Sequence, residues 1–471
     1  MKLLLLVFAT TLGAFAGGQT PANFPSDKEI REMLAERIDK DHWGTGAVVG
    51  IISPEGRRII SYGTFGKDDR RPVDGDTIFE IGSVSKVFTS LLLSDLVHRG
   101  KVRLDQPVEE LLPAGVSVPR WQGHQITLVD LSTQTSGLPF FPTDFPEIED
   151  PSAFKAAKAY TDRDLYRFLA SYQLLHEIGV HWEYSNLGVG LLGFAIARKE
   201  GMSYERLIER RIARPLGMKN TFVNVPVSAR KRLSTGYDED GEPAPDLGFP
   251  QVFDGAGSLR SNANDLLRFL GAVLGYQKTA LESGMKAMLE TRRPAADWLQ
   301  FLGGEQALGW WVVGKGDNQM LAHAGDTAGF TASIAYNPQT RVGVVALTNC
   351  STGGDQIAMH ILRPSWPFTH RVPAPKPRTE ITASPVLLGS YVGKYEAGPN
   401  VIIVVSLRNK HLMLMAPGSP MVRLHAESDR SFLIKRSDVG ISFKVDAGGM
   451  TEGMEIHIPG LGFAVPAKRL R

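Results

Sequence analysis

Two pairs of apolar runs stand out along the chain because each flanks a cluster of turn residues. Gly46 to Ser53 and Arg57 to Tyr62 surround Pro54-Glu55-Gly56, and Phe330 to Tyr336 and Arg341 to Asn349 surround Asn337-Pro338-Gln339-Thr340. Both are rich in β-branched residues, so each pair predicts an antiparallel hairpin. The four strands fit one antiparallel sheet. Between the hairpins the apolar spacing changes to three and four residues, which predicts helices over Ser83 to His98, Leu165 to Tyr172, Leu187 to Lys199, Tyr204 to Ala213 and Asn264 to Leu274. The connecting stretches Leu138 to Pro151 and Thr235 to Gly257 are long and rich in proline and glycine, the composition of irregular walls around a cleft.

After Asn349 the pattern changes. Arg363 to Arg378 holds Pro364, Pro367, Pro373, Pro375 and Pro377, a stiff linker rather than a packed element. From Tyr391 to Arg469 short β-rich runs alternate with turn clusters: Val401 to Leu407, His411 to Met415, Met421 to Ala426, Ser431 to Arg436, Ile441 to Ala447, Gly453 to Ile458 and Gly462 to Lys468. They predict a small all-β domain, a barrel.

The N-terminus has the order of a secretory signal: Lys2, an apolar run from Leu3 to Leu12, then small residues ending at Ala16, where cleavage is expected. That run is too short to span a bilayer, which takes about 20 residues. The expectation is therefore an exported protein, periplasmic or secreted, without a membrane span. The 471 residues carry 52 basic and 50 acidic side chains spread evenly, with no basic stripe of the kind that phosphate backbones need, so nucleic acid is not an expected partner. The single cysteine, Cys350, excludes an intramolecular disulfide and follows a strand-like run, where a buried apolar thiol is expected.

Three short elements carry the candidate chemistry. In Phe79-Glu80-Ile81-Gly82-Ser83-Val84-Ser85-Lys86 a strand-like run turns into a helix. Residues three apart share a helix face, so the Lys86 amine can approach the Ser83 hydroxyl and accept or relay its proton. An S-x-x-K tetrad alone fits an N-cap serine and a surface lysine equally well. Here the helix continues with Val87-Phe88-Thr89-Ser90-Leu91-Leu92-Leu93, apolar nearly all round, which predicts a buried central helix and a lysine with little access to water. In Tyr184-Ser185-Asn186 the tyrosine and asparagine point the same way in an extended loop. A phenol beside a cationic lysine is a candidate base, and the amide of Asn186 suits lysine or substrate. His323-Ala324-Gly325 enters the second hairpin, with the glycine admitting a close backbone approach and the histidine expected to face the cleft as a donor. Backbone N–H groups of Ser83 and of Asp326 or Thr327 are the expected oxyanion donors.

In order and spacing the three elements resemble the serine β-lactamase and penicillin-binding protein superfamily, most closely class C β-lactamases and the related D-amino-acid peptidases and esterases. Ser83 to Lys86 matches S-x-x-K, Tyr184 to Asn186 matches Y-x-N, and His323 to Gly325 takes the K-T-G position. Connecting segments share the resemblance: Arg99 to Pro107, Ile126 to Leu128, Thr135 to Pro139 and Pro215 to Met218. The resemblance covers roughly residues 30 to 355 and implies an α/β (α+β) fold: a β-lactamase/transpeptidase-like antiparallel sheet with helices on both sides and an inserted helical part. The tail resembles the lipocalin-like barrel of some relatives. The expected division is 1–16 signal peptide, 17–362 hydrolase domain, 363–384 linker and 385–471 barrel.

The resemblance implies an acyl-enzyme on Ser83, with Lys86 and Tyr184 exchanging the proton and Asn186, His323, Gly325, Asp326 and Thr327 contacting substrate. No metal or cofactor is implied. The substrate expected is a small-molecule or peptide amide, a β-lactam or a D-amino-acid peptide; the alternatives are a carboxylesterase for short acyl esters and a non-catalytic sensor. His323 stands where β-lactamases have lysine, and a neutral imidazole holds a carboxylate more weakly than an ammonium does. Asp326 adds negative charge there. Two other hydrolase classes are excluded by pattern: no G-x-S-x-G occurs, and His176 and His181 are one residue too far apart for H-E-x-x-H.

Overall fold

The computed structural model describes residues 24–470 apart from 147–150, 246–247, 296–303, 367, 369–379, 399–400, 409, 418, 420, 435–438, 447 and 458–463. The expected signal peptide, 1–16, lies outside the described residues, as does most of the expected linker.

The chain starts with α1 (Asp27–Ala35), closed at its N-terminus by reciprocal bonds between Ser26 and Glu29. The first hairpin follows as β1 (Gly46–Ser53) and β2 (Gly56–Gly63). Then come β3 (Phe79–Glu80), the helices α2 (Ser85–His98) and α3 (Leu128–Ser132), a small hairpin of β4 (Arg120–Trp121) and β5 (His124–Gln125), and β6 (Arg260–Ser261), which pairs with β3. The strands β7 (Glu305–Gln306), β8 (Trp311–Val313), β9 (Met320–Asp326), β10 (Thr331–Asn337) and β11 (Val342–Thr348) complete the hydrolase part.

Seven of these strands make one antiparallel sheet in the order β2-β1-β11-β10-β9-β8-β7. The two predicted hairpins meet in it, because β1 pairs with β11, Ala47 opposite Thr348. Helices cover both faces, so β1 is buried on each side instead of alternating with water. Ala47, Val49 and Ile51 pack with Ile30 and Leu34 of α1 and with Ile357 and Ile361, while Val48 and Ile52 pack with Leu267 and Leu270 on the other face. Each fully buried leucine or isoleucine contributes about 2 kcal/mol. The apolar spacing gave no sign of α1, since only Ile30 and Leu34 of its nine residues are buried.

Eight strands close the C-terminal barrel: β12 (Gly393–Gly398), β13 (Val401–Arg408), β14 (His411–Met415), β15 (Val422–Ala426), β16 (Ser431–Ile434), β17 (Val439–Val445), β18 (Thr451–His457) and β19 (Ala464–Arg469). Seven were expected from sequence. The eighth, β12, buries only Tyr395, which is too little for an apolar run to register. Side chains fill the barrel: Tyr391 stacks on Phe443 with ring centres 4.1 Å apart, and Phe432 meets Phe443 edge-on at 5.5 Å. The buried Tyr395 hydroxyl donates to Tyr391 O at 2.7 Å.

Candidate active site

The site forms where the sheet edge meets α2. Strand β3 ends in a tight turn over Gly82–Val84 before α2 begins, and Gly82 sits at φ +48°, a conformation glycine adopts at little cost. Ser83 is half-buried on this turn. One turn on, every residue from Ser85 to Leu96 is buried, Lys86 among them at 1% exposure. The Lys86 Nζ lies 2.9 Å from Ser83 Oγ, 2.6 Å from Asn186 Oδ1 and 2.7 Å from Ala256 O. Burial pulls the lysine pKa well below its ordinary value.

Tyr184 and Asn186 arrive from the opposite wall. Ser185 caps the helix Asn186–Lys199, its hydroxyl accepting from Gly188 N at 2.7 Å and donating to Pro139 O at 2.7 Å. That cap presents Asn186 to Lys86 and leaves Tyr184 in the loop before it. The Tyr184 hydroxyl is hydrogen-bonded to Ser83, and its ring lies over Lys86 Nζ at 4.7 Å. Burial pushes the phenol pKa up; the bond to Ser83 opposes this and the Asp326 charge adds to it. The resting tyrosine is therefore a protonated phenol. Burial thus opposes the phenolate that the sequence reading has a cationic lysine stabilise. Phe140 and Trp182 flank the Tyr184 ring, each at 5.9 Å, and make an apolar wall.

Strand β9 supplies the third side. Its partner β8 ends opposite Ala322, so the edge from His323 onward is free of strand and faces the Gly82–Val84 turn. The Thr327 N–H donates to Phe330 O at 2.9 Å. Antiparallel ladders alternate, so the Asp326 N–H points away from β10 and toward that turn. A side chain on Gly82 would meet Asp326 N at 2.8 Å, and one on Gly325 would meet Ser83 N at 2.6 Å. The space that Gly325 leaves is thus filled by the protein's own turn, not by a substrate backbone as expected. Of the two donors expected on this strand, Asp326 N is available and Thr327 N is already used. The Thr327 Oγ has no partner among the described residues.

His323 is buried at 2% exposure and stacks on Trp311, ring centres 4.8 Å apart. Burial and the nearby Lys86 push its pKa down to about 3, so the ring is neutral at pH 7. Its Nδ1 lies 2.7 Å from Ala324 O. A carbonyl can only accept, so Nδ1 carries the hydrogen and Nε2 is left as an acceptor. The sequence reading had this histidine as a donor. Asp326 is exposed at the strand end.

A family model described as Beta-lactamase matches residues 29–363, which hold all three elements. The chain belongs to the beta-lactamase family. Among curated relatives, "Beta-lactamase" of Escherichia coli (strain K12) is 26% identical over 73% of this chain and 95% of that protein. "D-alanyl-D-alanine-carboxypeptidase/endopeptidase AmpH" of the same strain is 28% identical over 70% of this chain and 86% of that protein. A solved class C beta-lactamase superposes with a TM-score of 0.60 at 26% identity, covering 72% of this chain and 98% of its own. This beta-lactamase family member is accordingly a serine hydrolase. A second family model, described as a domain of unknown function (DUF3471), matches residues 377–470.

Of the residues expected to act together, Ser83, Lys86, Tyr184 and Asn186 form one connected cluster, with Gly325 and Asp326 against the Gly82–Val84 turn. Sequence reasoning missed Ala256, whose carbonyl takes the third Lys86 bond. It lies in the stretch read as a loop, in a helix of only four residues, Asp254–Gly257, with no apolar period to find. His176, set aside as a metal ligand by its spacing, instead holds Glu183 at 2.9 Å.

Proposed function

We propose that this protein hydrolyses acyl substrates through an acyl-enzyme on Ser83, with Lys86 as the base. The observation that carries this is the buried Lys86 amine 2.9 Å from the Ser83 hydroxyl. A lysine whose pKa is lowered by burial offers a lone pair: it donates to Asn186 Oδ1 and Ala256 O and takes the Ser83 proton as Oγ attacks the carbonyl carbon. The N–H groups of Ser83 and Asp326 receive the oxyanion. Tyr184, a neutral phenol bonded to Ser83, passes a proton on to the leaving group and is reprotonated from Lys86. Water then releases the acyl group.

For the substrate we infer an amide of cell-wall type, a D-amino-acid peptide without a carboxylate next to the scissile bond. A neutral His323 that accepts disfavours the anionic group that β-lactams and C-terminal carboxypeptidase substrates carry. The apolar wall of Phe140 and Trp182 favours a second reading, short acyl esters. Turnover of nitrocefin, a D-amino-acid amide and p-nitrophenyl butyrate separates the two. The amide is expected to exceed nitrocefin by about tenfold or more in kcat/KM; an inert amide beside a rapidly cleaved ester sinks the first reading. The signal-like residues 1–16 support export, and among the described residues no helix is long and apolar enough to cross a membrane.

A further inference from the structure

Gln134 occupies a backbone conformation that its side chain makes costly. It follows α3 and its cap Thr133, with φ +61°. The Thr135 N–H donates to Asp130 O at 2.9 Å, the bond that closes a helix through one left-handed residue. Glycine is the ordinary occupant of that position, because a Cβ there crowds the following carbonyl. Here a glutamine is kept, and it is buried at 3% exposure.

Both ends of Gln134 are spent on the segment that carries Tyr184. Its carbonyl accepts from Glu183 N at 2.8 Å, and its side-chain Oε1 accepts from Ser185 N at 2.8 Å. The residues just before and just after Tyr184 are therefore tied to one residue, and the phenol between them is turned toward Ser83. The tie runs from the end of α3. A glycine would keep the carbonyl bond and lose the Oε1 bond.

We propose that Gln134 is a positioning residue that holds the Tyr184 hydroxyl in register with Ser83. The proposal rests on the acyl-enzyme reading above, and it assigns the glutamine to reactivity rather than to stability. The two roles give opposite results in one variant. Gln134→Gly relieves the left-handed residue while leaving the buried Ser185 N–H without its acceptor, so the two effects offset and it should melt within about 5 °C of the parent. Its reaction with a fluorophosphonate probe at Ser83 should nevertheless slow by about 10- to 100-fold in the limiting rate, with half-saturation within about threefold, as for a misplaced reacting group. Gln134→Glu keeps an oxygen at the same reach and should recover most of that rate.

Intact-mass spectrometry of the full chain reads the labelling and calorimetry reads the melt. A Gln134→Gly protein that labels as fast as the parent overturns the proposal, and so does one that slows only because it melts well below the parent. Failure of Gln134→Glu to label faster than Gln134→Gly also overturns it. A parent that takes up no probe overturns the acyl-enzyme reading itself, an outcome distinct from normal parental labelling with an indifferent Gln134→Gly.

Discussion

At the scale of single residues, the difference between this site and a lysine-bearing one comes down to where one hydrogen sits. His323 gives its Nδ1 hydrogen to Ala324 O, so its remaining nitrogen offers a lone pair where an ammonium would offer a charge. The same burial has a signature in stability. The folded pKa of His323 is about 3, below the ordinary histidine value, so between about pH 6.5 and about pH 3 the unfolded chain holds a proton here that the folded chain does not. Stability contributed by the neutral ring is complete above that window and is lost as the pH falls through it. Urea unfolding midpoints should therefore drop between about pH 7 and pH 4 by less in His323→Gln than in the parent, once the carboxylates common to both are subtracted. Equal drops would refute the buried neutral ring. Sequence made Ser83, Lys86 and Tyr184 legible because spacing on a helix and in a loop is local. The protonation states of Lys86 and Tyr184 and the tautomer of His323 were not legible, since they depend on the walls that assemble around them.

At the scale of elements, the site is a meeting of a turn and a strand edge with no room between them. Gly325 is required by that contact: any side chain on it would meet Ser83 N at 2.6 Å, and backbone on both sides leaves no rotamer to escape into. Gly325→Ala is expected to cost about 1–3 kcal/mol in urea unfolding and to lose most Ser83 labelling. A variant with parental stability and labelling would show that the turn and β9 can separate freely. Strands and long helices could be read from periodicity because their cores repeat along the chain. The four-residue helix Asp254–Gly257 could not, as its contribution is one carbonyl aimed at Lys86. Likewise β12 joins the barrel by backbone pairing, to which its side chains give little clue.

For the molecule as a whole, the barrel has a core of its own, built around Tyr391, Tyr395, Phe432 and Phe443. Residues 380–471 expressed alone should give a cooperative thermal transition by near-UV circular dichroism; a featureless melt would mean that the barrel needs the hydrolase part to fold. Its interior is filled by its own side chains, which leaves its outer surface for contacts. Ile402, Met415 and Pro417 border a small cavity with Leu175, His176 and Glu183, so that surface reaches the loop ending at Tyr184. The sheet itself has a consequence in time. One of its inner pairs joins β1, made early in synthesis, to β11, made only after nearly all of the hydrolase part has emerged. A growing chain holds an unmatched, strongly apolar hairpin for most of its synthesis, and closing so large a loop makes folding slow. During that interval Gly46 to Tyr62 offers an unpaired strand edge to other copies of the chain, so the refolding yield should fall as protein concentration rises.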